Sequence, residues 1–261
     1  MATLAVDCNY SITGSGPPLF LTHGIGASEN AWRFILPKLS KHFSVVTYDL
    51  RGHGKSPVTH KNFTLDEMVL DLERIREKTK FEKAHFAGHS LGGMISPAYA
   101  LKFPEHVISV GLLSTVAGRS EEDSKKVWNV INEMEKEGIE KTLQTLTNRW
   151  FTDEFIKNNP ELVQRRLKQV VDTDPEVFLN VFKIYAKTEM ISWLKNISRP
   201  CLLLTGENDS GCSPKHNEVM AEEIKDSKLV ILPKLKHSFL IEAPNEVAEN
   251  LIRFITSCKK S

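Results

Sequence analysis

Short apolar runs alternate with longer stretches of helical spacing over much of the chain, and this rhythm limits the architecture more than any other feature. The runs Pro18–Thr22, Phe43–Tyr48, Ala84–Ala87, Val107–Leu113, Cys201–Thr205 and Lys228–Leu232 read as buried strands. Between two of them, Leu65, Met68, Val69, Leu72 and Ile75 recur every three or four residues, the spacing of a helix with one apolar face. Strands that alternate with helices predict an α/β fold with a mostly parallel central sheet flanked by helices. The first 16 residues differ. Leu4, Val6, Tyr10 and Ile12 flank a polar centre before Gly14-Ser15-Gly16, which predicts an antiparallel hairpin at the sheet edge. The rhythm also stops between about Arg119 and Ser192, where helical charge patterning and most of the large aromatics gather. The spacing therefore predicts an α/β core made of residues 1–118 and 193–261, with residues 119–192 inserted as a helical cap.

Composition narrows the class of function. The chain has 261 residues, 41% hydrophobic and 26% charged, with a formal net charge of +1. A balance this close to zero offers no electrostatic footprint for nucleic acid. No stretch approaches 18 uninterrupted apolar residues, so no membrane partner is expected. The first Lys or Arg is Arg33, so no basic segment precedes an apolar core. The terminal Cys258-Lys259-Lys260-Ser261 puts two lysines where a prenylation signal needs aliphatic residues. Cys8, Cys201, Cys212 and Cys258 have no disulfide-framework or zinc spacing. Free thiols and a cytoplasmic location are the resulting expectation, and the sequence leaves the oligomeric state open.

The chemistry concentrates at Gly88-His89-Ser90-Leu91-Gly92-Gly93, between an apolar run and the helix-compatible stretch Met94–Leu101. A G-x-S-x-G in this setting is a nucleophile elbow, a sharp turn that projects the serine hydroxyl. A serine needs a base, and the base needs an orienting acid. Asp209 lies just beyond the Cys201–Thr205 run, and His237 lies just beyond the next one. Their order after Ser90 suits a serine hydrolase of the α/β type. Glu207 and Asp123 are weaker alternatives for the acid. Among the other histidines, His42, His60, His106 and His216 read as solvated, and His85 and His89 as packed or hydrogen-bonded. The oxyanion donors expected are the backbone amides of Leu91 and of Ile25 in His23-Gly24-Ile25-Gly26. In the insertion, Trp128, Trp150, Phe151 and Phe155 are candidates to line an acyl pocket, against the alternative of plain core packing. Arg149 is a candidate to grip a substrate carboxylate. Pro97, about two turns into the helix after Ser90, should bend it.

Together, His23-Gly24-Ile25-Gly26, Asp49-Leu50-Arg51-Gly52-His53-Gly54-Lys55-Ser56, Gly88-His89-Ser90-Leu91-Gly92-Gly93, Gly206-Glu207-Asn208-Asp209 and the His237 segment resemble the α/β-hydrolase superfamily. The resemblance covers about Leu19–Ser114 and Pro200–Phe254. Within the superfamily, Asn148-Arg149-Trp150-Phe151-Thr152 and Asn159-Pro160-Glu161-Leu162 are similar to 3-oxoadipate enol-lactonases and their carboxylesterase relatives. Serine at position 90 sets the chain apart from relatives with an aspartate or cysteine nucleophile. The resemblance implies a hydrolase of a small carboxylic ester or lactone that needs neither metal nor cofactor. Perhydrolysis or C–C bond hydrolysis by the same three residues is the enzymatic alternative, and a small-molecule receptor with slow turnover is the non-enzymatic one.

Overall fold

The computed structural model describes residues 5–258; Leu4 of the expected hairpin and Lys259–Ser261 of the tail lie outside them. Seven strands form one sheet: β1 (Tyr10–Thr13), β2 (Pro18–Thr22), β3 (Ser44–Tyr48), β4 (Ala84–His89), β5 (Val107–Leu113), β6 (Cys201–Gly206) and β7 (Ser227–Leu232). The spatial order is β1-β3-β2-β4-β5-β6-β7, parallel throughout except for β1. The sequence-predicted strands reappear with small changes at their ends. β4, β5 and β6 are almost wholly buried, as befits continuous apolar runs covered on both faces. The exception is the N-terminal hairpin. β1 does lie antiparallel at the edge, but it pairs with β3, Tyr10 opposite Tyr48, and not with a neighbour in sequence. The intervening Pro17-Pro18 carries the chain into β2 on the far side of β3.

Helices α1 (Leu36–Leu39), α2 (Leu65–Thr79) and α3 (Gly92–Lys102) punctuate the first half of the sheet. Thr64 and Glu67 close a capping box at the start of α2, whose Met68, Val69, Leu72 and Ile75 are buried. α3 runs through Pro97 to Lys102, so the proline does not end the helix. Between β5 and β6 the described chain is helical: α4 (Glu121–Glu137), α5 (Ile139–Trp150), α6 (Asp153–Asn158), α7 (Pro160–Val171), α8 (Pro175–Lys187) and α9 (Ile191–Leu194). A second capping box, Ser120 with Asp123, starts α4, which gives Asp123 a structural job in place of the acid role considered for it. α10 (Pro214–Glu223), α11 (Phe239–Glu242) and α12 (Pro244–Ser257) complete the chain.

Two apolar clusters sandwich the sheet. Phe20, Val46, Phe86 and Val110 face one side with α2 and α3; Leu19, Leu21, Leu202 and Leu204 face the other with α12. Successive residues of one strand thus bury against opposite layers. Among the described residues, no helix is long and apolar enough to cross a membrane. The described cysteines are free thiols, and burial pushes those of Cys8 and Cys201 up to about 12.

Candidate active site

The chain passes from β3 on one side of β2 to β4 on the other, so the carboxyl ends of β2 and β4 form the point at which the sheet reverses its winding. Ligands gather at such points in open α/β sheets. Ser90 lies directly after β4, and His23-Gly24-Ile25-Gly26 directly after β2. Asp209 and His237 follow β6 and β7. A cavity of about 230 Å³ opens here and is lined by Ser90, Asp209 and His237 together with residues of the helical segment.

Ser90 sits at φ 58°, the left-handed region that non-glycine residues rarely adopt. Its neighbours explain how that strain is held. A Cβ on Gly88 would stand 1.9 Å from the Gly92 carbonyl oxygen, and one on Gly92 would stand 2.1 Å from that of Thr22. The turn therefore needs glycine on both sides. The Ser90 amide donates to Leu113 O at 2.8 Å, and its carbonyl accepts from Gly93 N at 2.9 Å. Among the described residues, neither the Ile25 nor the Leu91 amide donates to a protein acceptor, which leaves both available to a ligand. Leu91 stands at the start of α3, where the helix dipole favours negative charge.

His237 Nδ1 lies 2.8 Å from Asp209 Oδ2. Ser114 Oγ also donates to Oδ2, while the amides of Gly211 and Cys212 donate to Oδ1 at 3.0 and 2.9 Å. Burial alone would raise the Asp209 carboxyl; His237 and these donors bring it down to about 2. Burial works against charging His237, but the adjacent carboxylate carries it up to about 10. Neighbouring imidazoles behave differently. Burial pushes His53 down to about 4 and His89 to about 3, and His23 well below its usual range. Their partners suit neutral rings. His23 Nδ1 donates to Gly24 O while Nε2 accepts from Leu50 N, and His53 Nδ1 donates to Arg51 O while Nε2 accepts from Gly26 N. His89 Nε2 donates to the carbonyl of His237 itself, at 3.0 Å.

The other candidates separate. Trp150 and Arg149 line the cavity; Trp128 does not, because α4 presents Val127 and Val130 there instead. Phe151 is fully buried and stacks on Phe155 at 5.7 Å between ring centres, so both serve packing rather than the cavity wall. Glu207 accepts from the Lys234 amide and does not meet His237. His216, expected to be solvated, bonds Ser213 Oγ and lines the cavity. Asp209, Cys212 and His237 could each present one metal-donor atom, all within 4.8 Å. Two of those atoms are already bonded to each other, which suits an acid–base pair better than a cation site.

Sequence reasoning missed three residues. Ser114 follows β5 as Ser90 follows β4, so its place at a strand end was the available signal. Arg119 faces the cavity, with its guanidinium donating to the carbonyls of Tyr185, Ala186 and Thr188. Arg166 lies in Arg165-Arg166 on α7, a pair that reads as a solvated face. The helical segment is tied to the His237 loop as well: Ser238 N donates to Trp150 O at 2.8 Å and Lys236 Nζ to Asn148 O at 2.8 Å.

Sheet order, strand-end loops and elbow geometry define an α/β hydrolase, and residues 17–244 match the model of the alpha/beta hydrolase fold. The chain belongs to that family. Among curated proteins it is similar to 3-oxoadipate enol-lactonase 1 of Acinetobacter baylyi, 28% identical over 256 residues covering 98% of this chain and 94% of that one. It is equally similar, at 28% identity over 256 residues, to pimeloyl-[acyl-carrier protein] methyl ester esterase of Nitrosospira multiformis, covering 92% of this chain and 95% of that one. The enol-lactonase from Burkholderia xenovorans LB400 superposes with a TM-score of 0.89 at 24% identity, covering 96% of both chains, a likeness of fold. These relatives are hydrolases.

Proposed function

We propose that this protein is a serine hydrolase that cleaves a small carboxylic ester or lactone through an acyl-enzyme intermediate. One observation carries the reading: a serine held on a strained elbow shares a cavity with a His–carboxylate pair whose 2.8 Å bond leaves the imidazole Nε2 available. Ser90 Oγ attacks the carbonyl carbon while its proton passes to His237 Nε2. Asp209 keeps the proton on Nδ1 and steadies the imidazolium that forms. The carbonyl oxygen takes the developing charge and is held by the amides of Ile25 and Leu91. Collapse restores the C=O bond and breaks the bond from that carbon to the alcohol oxygen, and His237 returns the proton to the leaving alkoxide. Water then attacks the acyl-Ser90 ester by the same route, giving a carboxylic acid and free Ser90. With a lactone, the alcohol stays attached to the acyl group and one product leaves. Residues 119–192 act as the cap that excludes water and shapes the acyl pocket.

A fluorophosphonate should label Ser90, and Ser90→Ala should lose the label together with about 10⁶-fold of turnover on a short aryl ester. Unchanged hydrolysis by that variant overturns the assignment.

A further inference from the structure

The cap grips the oxyanion loop through one side chain. Arg166 on α7 donates from Nη1 to the Gly26 carbonyl at 2.7 Å and from Nη2 to the Ile25 carbonyl at 2.9 Å. Its guanidinium carbon stands 5.4 Å from the ring centre of Trp150, a cation–π contact on the cavity wall. From the core side, the Gly26 amide donates to His53 Nε2 at 3.3 Å. The Ile25–Gly26 peptide is therefore held at its oxygen by the cap and at its nitrogen by the core. Gly26 lies at φ +57°, and a Cβ there would come within 2.8 Å of Phe178, so cap and loop already touch. Three residues further along α7, Gln169 donates to Ser28 Oγ at 2.7 Å.

This geometry matters because the Ile25 amide is one residue from the clamp. Backbone rotation at Ile25 swings that N–H unless the following peptide plane is fixed. A planar guanidinium, with its N–H groups in a rigid fork, can fix two successive carbonyls at once; an ammonium offers no such fork. The charge is also placed unusually. Among the described residues Arg166 has no carboxylate ion-pair partner, and the positive charge of Arg33 works against its own. Burial and Arg33 lower its pKa to about 10, which leaves it charged at neutral pH. Cations inside proteins are ordinarily paired. No carboxylate is paired with Arg166 among the described residues, and the substrate oxygen is where further negative charge develops.

We infer that Arg166 is a positioning residue for the oxyanion hole, reaching from the cap to orient the Ile25 amide and to place a positive charge beside the tetrahedral oxyanion. The inference rests on the acyl-enzyme reading given above. It is distinct from substrate binding, because a residue that serves the oxyanion acts in the transition state and leaves ground-state affinity alone.

The test uses the full-length enzyme, a neutral aryl ester, an anionic ester of the same alcohol, and a trifluoromethyl ketone whose hemiketal on Ser90 mimics the oxyanion. Arg166→Met should lower kcat roughly 10²-fold on both esters with KM nearly unchanged, the size of one lost oxyanion donor. Ketone affinity should weaken by a similar factor. Arg166→Lys keeps the charge and one carbonyl bond, so it should recover part of kcat, and it keeps the proposal testable if Arg166→Met does not fold. Unchanged kcat in either folded variant overturns the inference. A rise in KM confined to the anionic ester also overturns it, since that would make Arg166 a substrate anchor. If the wild-type enzyme hydrolyses no ester or lactone and Ser90 takes no phosphonate, the acyl-enzyme reading itself fails, whatever Arg166 does.

Discussion

Burial opposes the charged forms of both Asp209 and His237, and the contact between them supports both. Contact between them raises His237 from 6.5 to about 10 and lowers Asp209 from 3.8 to about 2. A raised folded-state pKa adds stability that is complete below the unfolded value and fades as pH climbs through the folded one. For His237 that decline runs from 6.5 to about 10. The depressed Asp209 works in the opposite sense, adding stability that is present above 3.8 and lost as pH falls toward 2. The pair therefore helps most between about pH 4 and pH 6.5. Melting curves of wild type and His237→Gln should differ most in that window and converge toward alkaline pH; a gap independent of pH would show that the two groups are uncoupled. Under the proposed mechanism activity follows another rule, because His237 must be neutral to accept the Ser90 proton. Turnover should climb from mildly acid to alkaline pH, and a profile flat down to about pH 5 would exclude His237 as the base.

At the scale of elements, the site depends on loops after β2, β3, β4, β6 and β7 keeping fixed positions, and much of that bracing comes from the loop after β3. Arg51, fully buried, donates from Nε and Nη2 to Asp71 at 2.6 and 2.7 Å and from Nη1 to Glu67 at 3.0 Å, binding that loop to α2. His53, two residues on, holds Gly26. Removing the guanidinium leaves two carboxylates facing each other without their shared cation. Arg51→Ala should cost about 3–5 kcal/mol, the cost of breaking a buried ion pair from one side. Calorimetry should show a midpoint lower by roughly 10 °C, and a shift of only a degree or two would mean the carboxylates find other partners. These elements were legible in the sequence to different degrees. β2, β4, β5 and β6 announced themselves because burial on both faces demands unbroken apolar runs. β1 did not announce its partner: alternation marks a strand, but pairing with β3 is decided by where the chain crosses the sheet. The same limit appears in residues 119–192, where helical periodicity was clear while the rotation of α4, which turns Val127 and not Trp128 toward the cavity, depends on packing. Ser90, Asp209 and His237 were readable because each follows a strand end. Arg166 was not, because a basic pair on an amphipathic helix looks solvated until α7 is laid over Ile25.

Charge shows the clearest difference between the whole molecule and its site. The chain carries a net +1, yet among the described residues Arg33, Arg119, Lys126, Arg149 and Arg166 line the cavity against two carboxylates, Asp123 and Asp209. Asp209 is committed to His237, and Asp123 to the cap of α4. Arg119 and Arg166 spend donors on backbone carbonyls, so selectivity for an anionic substrate falls to Arg149 and not to them. Arg149, exposed at the end of α5, has no ion-pair partner among the described residues. A local excess of cations in a cleft raises the concentration of anionic ligands even when the molecule as a whole is neutral. An ester or lactone with a carboxylate on its acyl chain should therefore bind better than its neutral amide analogue. Arg149→Ala should raise KM for the anionic ester about tenfold, the effect of one charge-assisted hydrogen bond, and leave KM for the neutral one within about twofold. Kinetics on the matched pair at low and high salt will decide it. Added salt should narrow the gap between the two substrates in the wild-type enzyme and change it little in the variant. Equal KM values for both esters in the wild type would show that this excess of cations selects nothing.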